Sequence, residues 1–166
     1  MQGDALLVID LQNGVCHKNE IDVDHFEDLI VQVSNRIKSY ADSSKPVIIV
    51  QHEDKELVKG SVQWQLVSKL KLTGKVYFIA KEHANSFFHT DLKKMLAQLN
   101  VQQIELCGAQ TEYCIDATVK FAHGLGYKVL MCHGLMTTWD NQFMTAQQTI
   151  SFYENIWNER FLQFID

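Results

Sequence analysis

Four short runs of uninterrupted apolar residues and a fifth, shorter apolar stretch around Ile104 recur along the chain, and between them apolar positions fall three and four residues apart. Ala5-Leu6-Leu7-Val8-Ile9 has the continuity of a strand buried on both faces, Val47-Ile48-Ile49-Val50 reads as a second buried strand, and Val76-Tyr77-Phe78-Ile79-Ala80, the stretch around Ile104 and Val129-Leu130-Met131-Cys132 read as three further strands. Within 23–40, Phe26, Leu29, Ile30, Val33 and Ile37 repeat at helical spacing, and Asp42-Ser43-Ser44-Lys45-Pro46 breaks the repeat. Leu92, Met95, Leu96 and Leu99 predict a second helix with Thr90 or Asp91 as N-cap. A third follows Gly108, carries Cys114 in its first turn and stops at Gly124 and Gly126; a fourth is predicted from about Gln142 to Phe152. The stretch 55–74, with Trp64 and Leu66 set among polar residues, reads as an excursion over the sheet.

Strands alternating with helices at this spacing predict right-handed βαβ units. The expected fold is a three-layer α/β/α sandwich with a mainly parallel, Rossmann-like sheet of five to six strands, as one domain over 1–166. A chain of 166 residues with 46% hydrophobic content is long enough for one well-buried core. A net charge of −5 without a dense Lys/Arg cluster argues against a nucleic-acid or anionic-membrane partner. No stretch reaches the length of apolar sequence that a membrane helix needs, and the N-terminus lacks the pattern of a secretory leader, so a cytoplasmic location is expected. Four cysteines without short paired spacing suit free thiols better than a disulfide framework or a zinc ribbon.

Chemistry collects at the carboxyl ends of the strands, where open α/β sheets bind ligands. Asp10 ends the first run; it either caps a turn with Asn13 and Gly14 or supplies an ionisable group at the sheet edge. Lys81 ends the third run, where a lone lysine is ordinarily exposed. Cys114 stands at a helix start, where free N–H groups and the helix dipole favour a thiolate, although a free cysteine is more often a small packed hydrophobe.

Three blocks together are more specific than any one residue. Leu7-Val8-Ile9-Asp10-Leu11-Gln12-Asn13, then Lys81 followed by Asn85-Ser86-Phe87-Phe88-His89-Thr90-Asp91-Leu92, then Cys107-Gly108-Ala109-Gln110-Thr111-Glu112-Tyr113-Cys114 resemble, in order and spacing, the signature blocks of the isochorismatase-like cysteine hydrolases. The resemblance covers essentially the whole chain. It implies an Asp-Lys-Cys triad of Asp10, Lys81 and Cys114, an oxyanion hole from the backbone N–H groups of Gln110 and Cys114, and a cis peptide joining Ala109 to Gln110. A carboxylate base beside a thiol nucleophile, balanced by an ammonium, is physically coherent.

The implied reaction is hydrolysis of a C–N bond in a small amide, ureido compound or cyclic imide through a thioester-type intermediate. Gln12, Gln51, Trp64, Phe87 and Tyr113 are the candidate pocket residues, with the Leu135 to Trp139 loop as a further wall. No cofactor and no metal are expected. Metal-dependent nicotinamidases of the superfamily carry an Asp-x-His pair after the second strand, whereas this strand ends Gln51-His52-Glu53-Asp54; His83 and His89 with Glu53 remain the alternative ligands. The family's habits imply a homo-oligomer, dimer or tetramer. Two rival readings stay open: a redox or electrophile-sensing thiol protein, and a non-catalytic scaffold of the same fold.

Overall fold

The structure is a computed structural model that describes residues 1–165. Its centre is a seven-stranded sheet whose recorded pairings are all parallel. The strands are β1 (Ala5–Ile9), β4 (Val47–His52), β5 (Val76–Lys81), β6 (Gln103–Ala109), β7 (Lys128–Cys132), β8 (Met136–Thr137) and β9 (Gln163–Ile165), in the order β5-β4-β1-β6-β7-β9 with β8 beside β6. A separate hairpin pairs β2 (His17–Lys18) with β3 (Ile21–Asp22). The helices are the single turn α1 (Asn13–Cys16), then α2 (Phe26–Asp42), α3 (Leu92–Gln98), α4 (Asp116–Gly124) and α5 (Ala146–Trp157).

The continuous apolar runs of β1 and β4 are explained by burial on both faces, whereas β5, at the edge of the sheet, leaves Phe78 55% exposed. Leu6, Val8, Val47 and Ile49 pack against Leu29, Ile30, Val33 and Ile37 of α2. The alternate residues Leu7, Ile9, Ile48 and Val50 pack against Leu92 and Leu96 of α3, Val119 and Ala122 of α4, and Ile150 and Trp157 of α5. The three-layer expectation therefore holds, with seven strands in place of five or six. The extra strands are two- and three-residue pieces, β9 arising from the Phe164-Ile165 segment that follows Trp157.

The fourth predicted helix is displaced towards the C-terminus. Asn141 Oδ1 accepts from the N–H groups of Phe143 and Met144, holding that segment in a turn. The helix opens only at Thr145, whose hydroxyl accepts from the Gln148 N–H while the Gln148 side chain accepts from the Thr145 N–H. Residues 55–74 contain no helix or sheet strand, as expected, and run against residues 11–14 through Asn13 N–H to Gln65 C=O, Gly14 N–H to Gln63 C=O and Val67 N–H to Leu11 C=O. Among the described residues no helix is long and apolar enough to cross a membrane.

β1 and β6 approach so closely at Gly108 (φ +122°) that a Cβ there would stand 2.0 Å from the Ile9 carbonyl oxygen. That glycine lets the end of β6 lie against the end of β1, which places the segment leading to Cys114 beside Asp10.

Candidate active site

Asp10 follows β1 and takes a left-handed conformation, φ 53°, which aspartate tolerates better than most residues. Its N–H still donates to the Val50 carbonyl at 2.9 Å, so the chain turns at the sheet edge without leaving it. Lys81 is the last residue of β5 and is 1% exposed. The bland expectation of a solvated lysine is thus overturned: its stem crosses the edge of the sheet to bring Nζ between Asp10 and the segment after β6.

Cys114 lies in a wide turn, Thr111–Ile115, that precedes α4, where the Ile115 N–H reaches back five residues to the Gln110 carbonyl. The peptide bond between Ala109 and Gln110 is cis. The Gln110 N–H finds no acceptor among the described residues.

These elements converge on one nitrogen. Lys81 Nζ donates to Asp10 Oδ2 at 2.7 Å and to Cys114 Sγ at 3.2 Å, and it contacts His52 Nδ1 at 3.1 Å. Asp10 is 2% exposed; its Oδ2 is held by Lys81, while Oδ1 is buried without a partner. Burial, and next the negative charge of Asp10, push the Cys114 thiol up to about 12, against the smaller lowering by Lys81. The helix start expected to favour a thiolate loses this contest. Cys114 rests as a thiol, with a carboxylate oxygen of Asp10 within 4.8 Å of its Sγ.

The ligand atoms of Asp10, His52 and Cys114 lie within 4.8 Å of one another, the one such grouping found among the described residues. As a metal site the arrangement fits poorly, because the Lys81 ammonium sits among the same three atoms. Glu53, His83 and His89 form no cluster of ligands; His83 and His89 instead lie against each other and Phe88, with His83 edge-on to Phe88 and His89 stacked on it.

A cleft of about 570 Å³ opens over this group. Asp10, His52, Gln110 and Cys114 form its reactive end, and His17, Lys18, Asp54, Leu57 and Trp139 are among the residues of its walls. The five candidate pocket residues lie elsewhere. Gln12 is fully buried and consumed by backbone: Nε2 donates to the His52 and Trp64 carbonyls, and Oε1 accepts from the His52 N–H. Gln51 donates to the Trp64 carbonyl, and both residues line a separate, more apolar hollow with Phe78 and Leu66. Phe87 is core, lying against Phe121 and Tyr127 with ring centroids 5.9 and 5.7 Å away. Tyr113 is 59% exposed and takes no part in the cleft. Trp139, inside the loop proposed as a further wall, does line it and donates Nε1–H to the Val15 carbonyl.

A family model described as the isochorismatase domain matches residues 4–147. The chain belongs to the isochorismatase family. A crystal structure of an isochorismatase family protein superposes with a TM-score of 0.93 at 42% identity, covering 98% of this chain and 97% of that one. The isochorismatase family protein YddQ of Bacillus subtilis is 29% identical over 132 residues, 74% of this chain and 71% of its own. Nicotinamidase 3 of Arabidopsis thaliana is 22% identical over 163 residues, 86% of this chain and 77% of its own. In this isochorismatase-family chain, the walls contributed by β2 and its hairpin turn were missed in the sequence; Asn19-Glu20, between His17-Lys18 and Ile21-Asp22, was the available turn signal.

Proposed function

We propose that this protein hydrolyses the C–N bond of a small amide, ureido compound or cyclic imide, with Cys114 as nucleophile, Asp10 as general base and acid, and Lys81 as the balancing cation. The observation that carries this reading is one ammonium bonded both to a buried carboxylate with an unpartnered Oδ1 and to a thiol whose Sγ lies within 4.8 Å of a carboxylate oxygen. A nucleophile that is not ionised at rest needs a base at the moment of attack. The Arabidopsis nicotinamidase among its relatives supports an amide-type bond.

In the proposed reaction the thiol proton passes to Asp10 as Sγ adds to the carbonyl carbon. The oxyanion takes the N–H groups of Gln110 and Cys114, each worth about 3 kcal/mol at such a step. Collapse breaks the C–N bond, and the departing nitrogen takes the proton from Asp10, leaving a thioester. Water then gives a proton to Asp10 and adds to the thioester carbon; Cys114 leaves and recovers its proton, and the acid is released. The Lys81 ammonium keeps Asp10 ionised at the start and offsets negative charge throughout. No step requires a metal or cofactor, because the chain supplies its own cation where the donors converge.

The test is a screen of small amides, ureido compounds and cyclic imides for ammonia release or ring opening. At least one class should be turned over by the wild type and by neither Cys114→Ala nor Asp10→Asn. Turnover equal in Cys114→Ala and wild type rejects the reading. A sensing thiol protein would instead require Cys114 alone, with Asp10 and Lys81 dispensable.

A further inference from the structure

We infer that His52 is a positioning residue for Lys81, held as the neutral Nε2–H tautomer by Asp54, so that a three-acceptor cradle of Asp10, His52 and Cys114 fixes the ammonium. An ammonium has three N–H bonds and no lone pair. Lys81 Nζ has three neighbours within hydrogen-bond reach, Asp10 Oδ2 at 2.7 Å, His52 Nδ1 at 3.1 Å and Cys114 Sγ at 3.2 Å. Each of the three protons therefore has one acceptor, provided that His52 Nδ1 carries a lone pair. The other ring nitrogen must then bear the proton, and it faces Asp54 Oδ2 at 3.2 Å.

Both ends of this relay are anchored. The Asp54 carboxylate is pinned through Oδ1 by the N–H groups of Leu57 and Glu56 at 2.7 and 2.8 Å. The His52 backbone is gripped on both sides by the Gln12 side chain, which accepts from its N–H and donates to its C=O. Gln12 is thus not a substrate contact but the brace that sets where the imidazole stands. Without that third acceptor the ammonium would be free to turn away from Cys114 Sγ, whose thiolate its charge favours. His52 prevents this by accepting the third N–H.

This inference deepens the hydrolase reading and rests on it for its catalytic meaning, but its hydrogen bonds are measurable without turnover. Long-range proton–nitrogen correlation of the wild type, with His52 assigned by its loss in His52→Asn, reads the tautomer directly. Neutral His52 with the proton on Nε2 is expected; a proton on Nδ1 overturns the inference whatever the enzyme does. The second arm compares the alkylation rate of Cys114 in His52→Leu, which removes the acceptor, and His52→Asn, whose Oδ1 stands near the place of Nδ1. His52→Leu should slow Cys114 labelling about tenfold at fixed pH, the size of one lost hydrogen bond to a charged group. His52→Asn should stay within about twofold of the wild type. Equal rates in His52→Leu and wild type, or equal loss in both variants, would overturn the positioning role. If His52→Leu does not fold, a large loss in folded His52→Asn overturns it equally, and a correct tautomer with a Cys114 that never acts as nucleophile would leave the hydrogen bonds standing and the hydrolase reading rejected.

Discussion

Replacing Asp10 by Asn should make Cys114 more reactive to a small electrophile while abolishing hydrolysis. Asp10 raises the thiol's proton affinity and Lys81 lowers it, so removal of the carboxylate charge leaves the ammonium unopposed. A carboxylate oxygen and Sγ stand within 4.8 Å. At that separation two unit charges interact by about 3.5 kcal/mol for an effective dielectric constant of about 20. Allowing for relaxation and water entering the cleft, about half of that energy survives, which corresponds to a ten- to thirtyfold higher thiolate population near neutral pH, at about 1.4 kcal/mol per tenfold. Asparagine also tolerates the left-handed backbone at position 10, so the fold should persist. The assay is site-resolved iodoacetamide alkylation across pH, read by peptide mass spectrometry, with Cys16, Cys107 and Cys132 as internal controls. Cys114 labelling in Asp10→Asn should rise by about an order of magnitude and its pH profile should move to lower pH. Lys81→Ala should move the profile the other way. A Cys114 rate unchanged or lowered in folded Asp10→Asn would refute the electrostatic coupling between the two residues.

Three further outcomes follow from the packing. Arg36 donates through Nε and Nη2 to both oxygens of the fully buried Glu105, which also accepts from the Tyr40 hydroxyl; Arg36→Met should strand that carboxylate and cost about 3 kcal/mol in urea unfolding. Burial, with Asp10 second, raises the fully buried Cys16 from 9.0 to about 12. The unfolded chain releases this proton first, so the associated stability is complete below about pH 9 and is lost as pH rises towards 12. Between pH 8 and pH 10 that loss is about 1.4 kcal/mol, and Cys16→Ala should remove this part of the alkaline slope. Thr145→Ala should cost about 1 kcal/mol through the lost cap of α5, visible as a lower thermal midpoint.

The residues differ in how plainly they announced their places. β1 and β4 were legible because a strand buried on both faces needs no alternation, only continuity, and Asp10 stood at the end of the first such run, while Lys81 closed the equally continuous run of the edge strand β5. The Thr145-x-x-Gln148 capping box was equally present in the sequence and dates the start of α5 better than the apolar spacing did. Phe87 and Phe88 were not separable in sequence: one is 7% and the other 44% exposed, and only the path of the loop decides which. The roles of Gln12 and His52 were hidden for another reason. Gln12 meets the His52 backbone across forty residues and His52 meets Lys81 across twenty-nine, so neither contact leaves a local pattern. The ionisation of Cys114 was misjudged because a helix start is visible in sequence, whereas burial and an approaching carboxylate are not.

The central claim, that Cys114 attacks while Asp10 accepts its proton, is tested most directly by intact-mass and peptide mass spectrometry of the enzyme quenched during turnover of the best compound in the amide and imide screen. The account predicts an added mass equal to the acyl fragment, located on Cys114, and its disappearance together with turnover in Cys114→Ala. Undiminished turnover in Cys114→Ala, or an acyl group carried by Cys16, Cys107 or Cys132 instead, would contradict it.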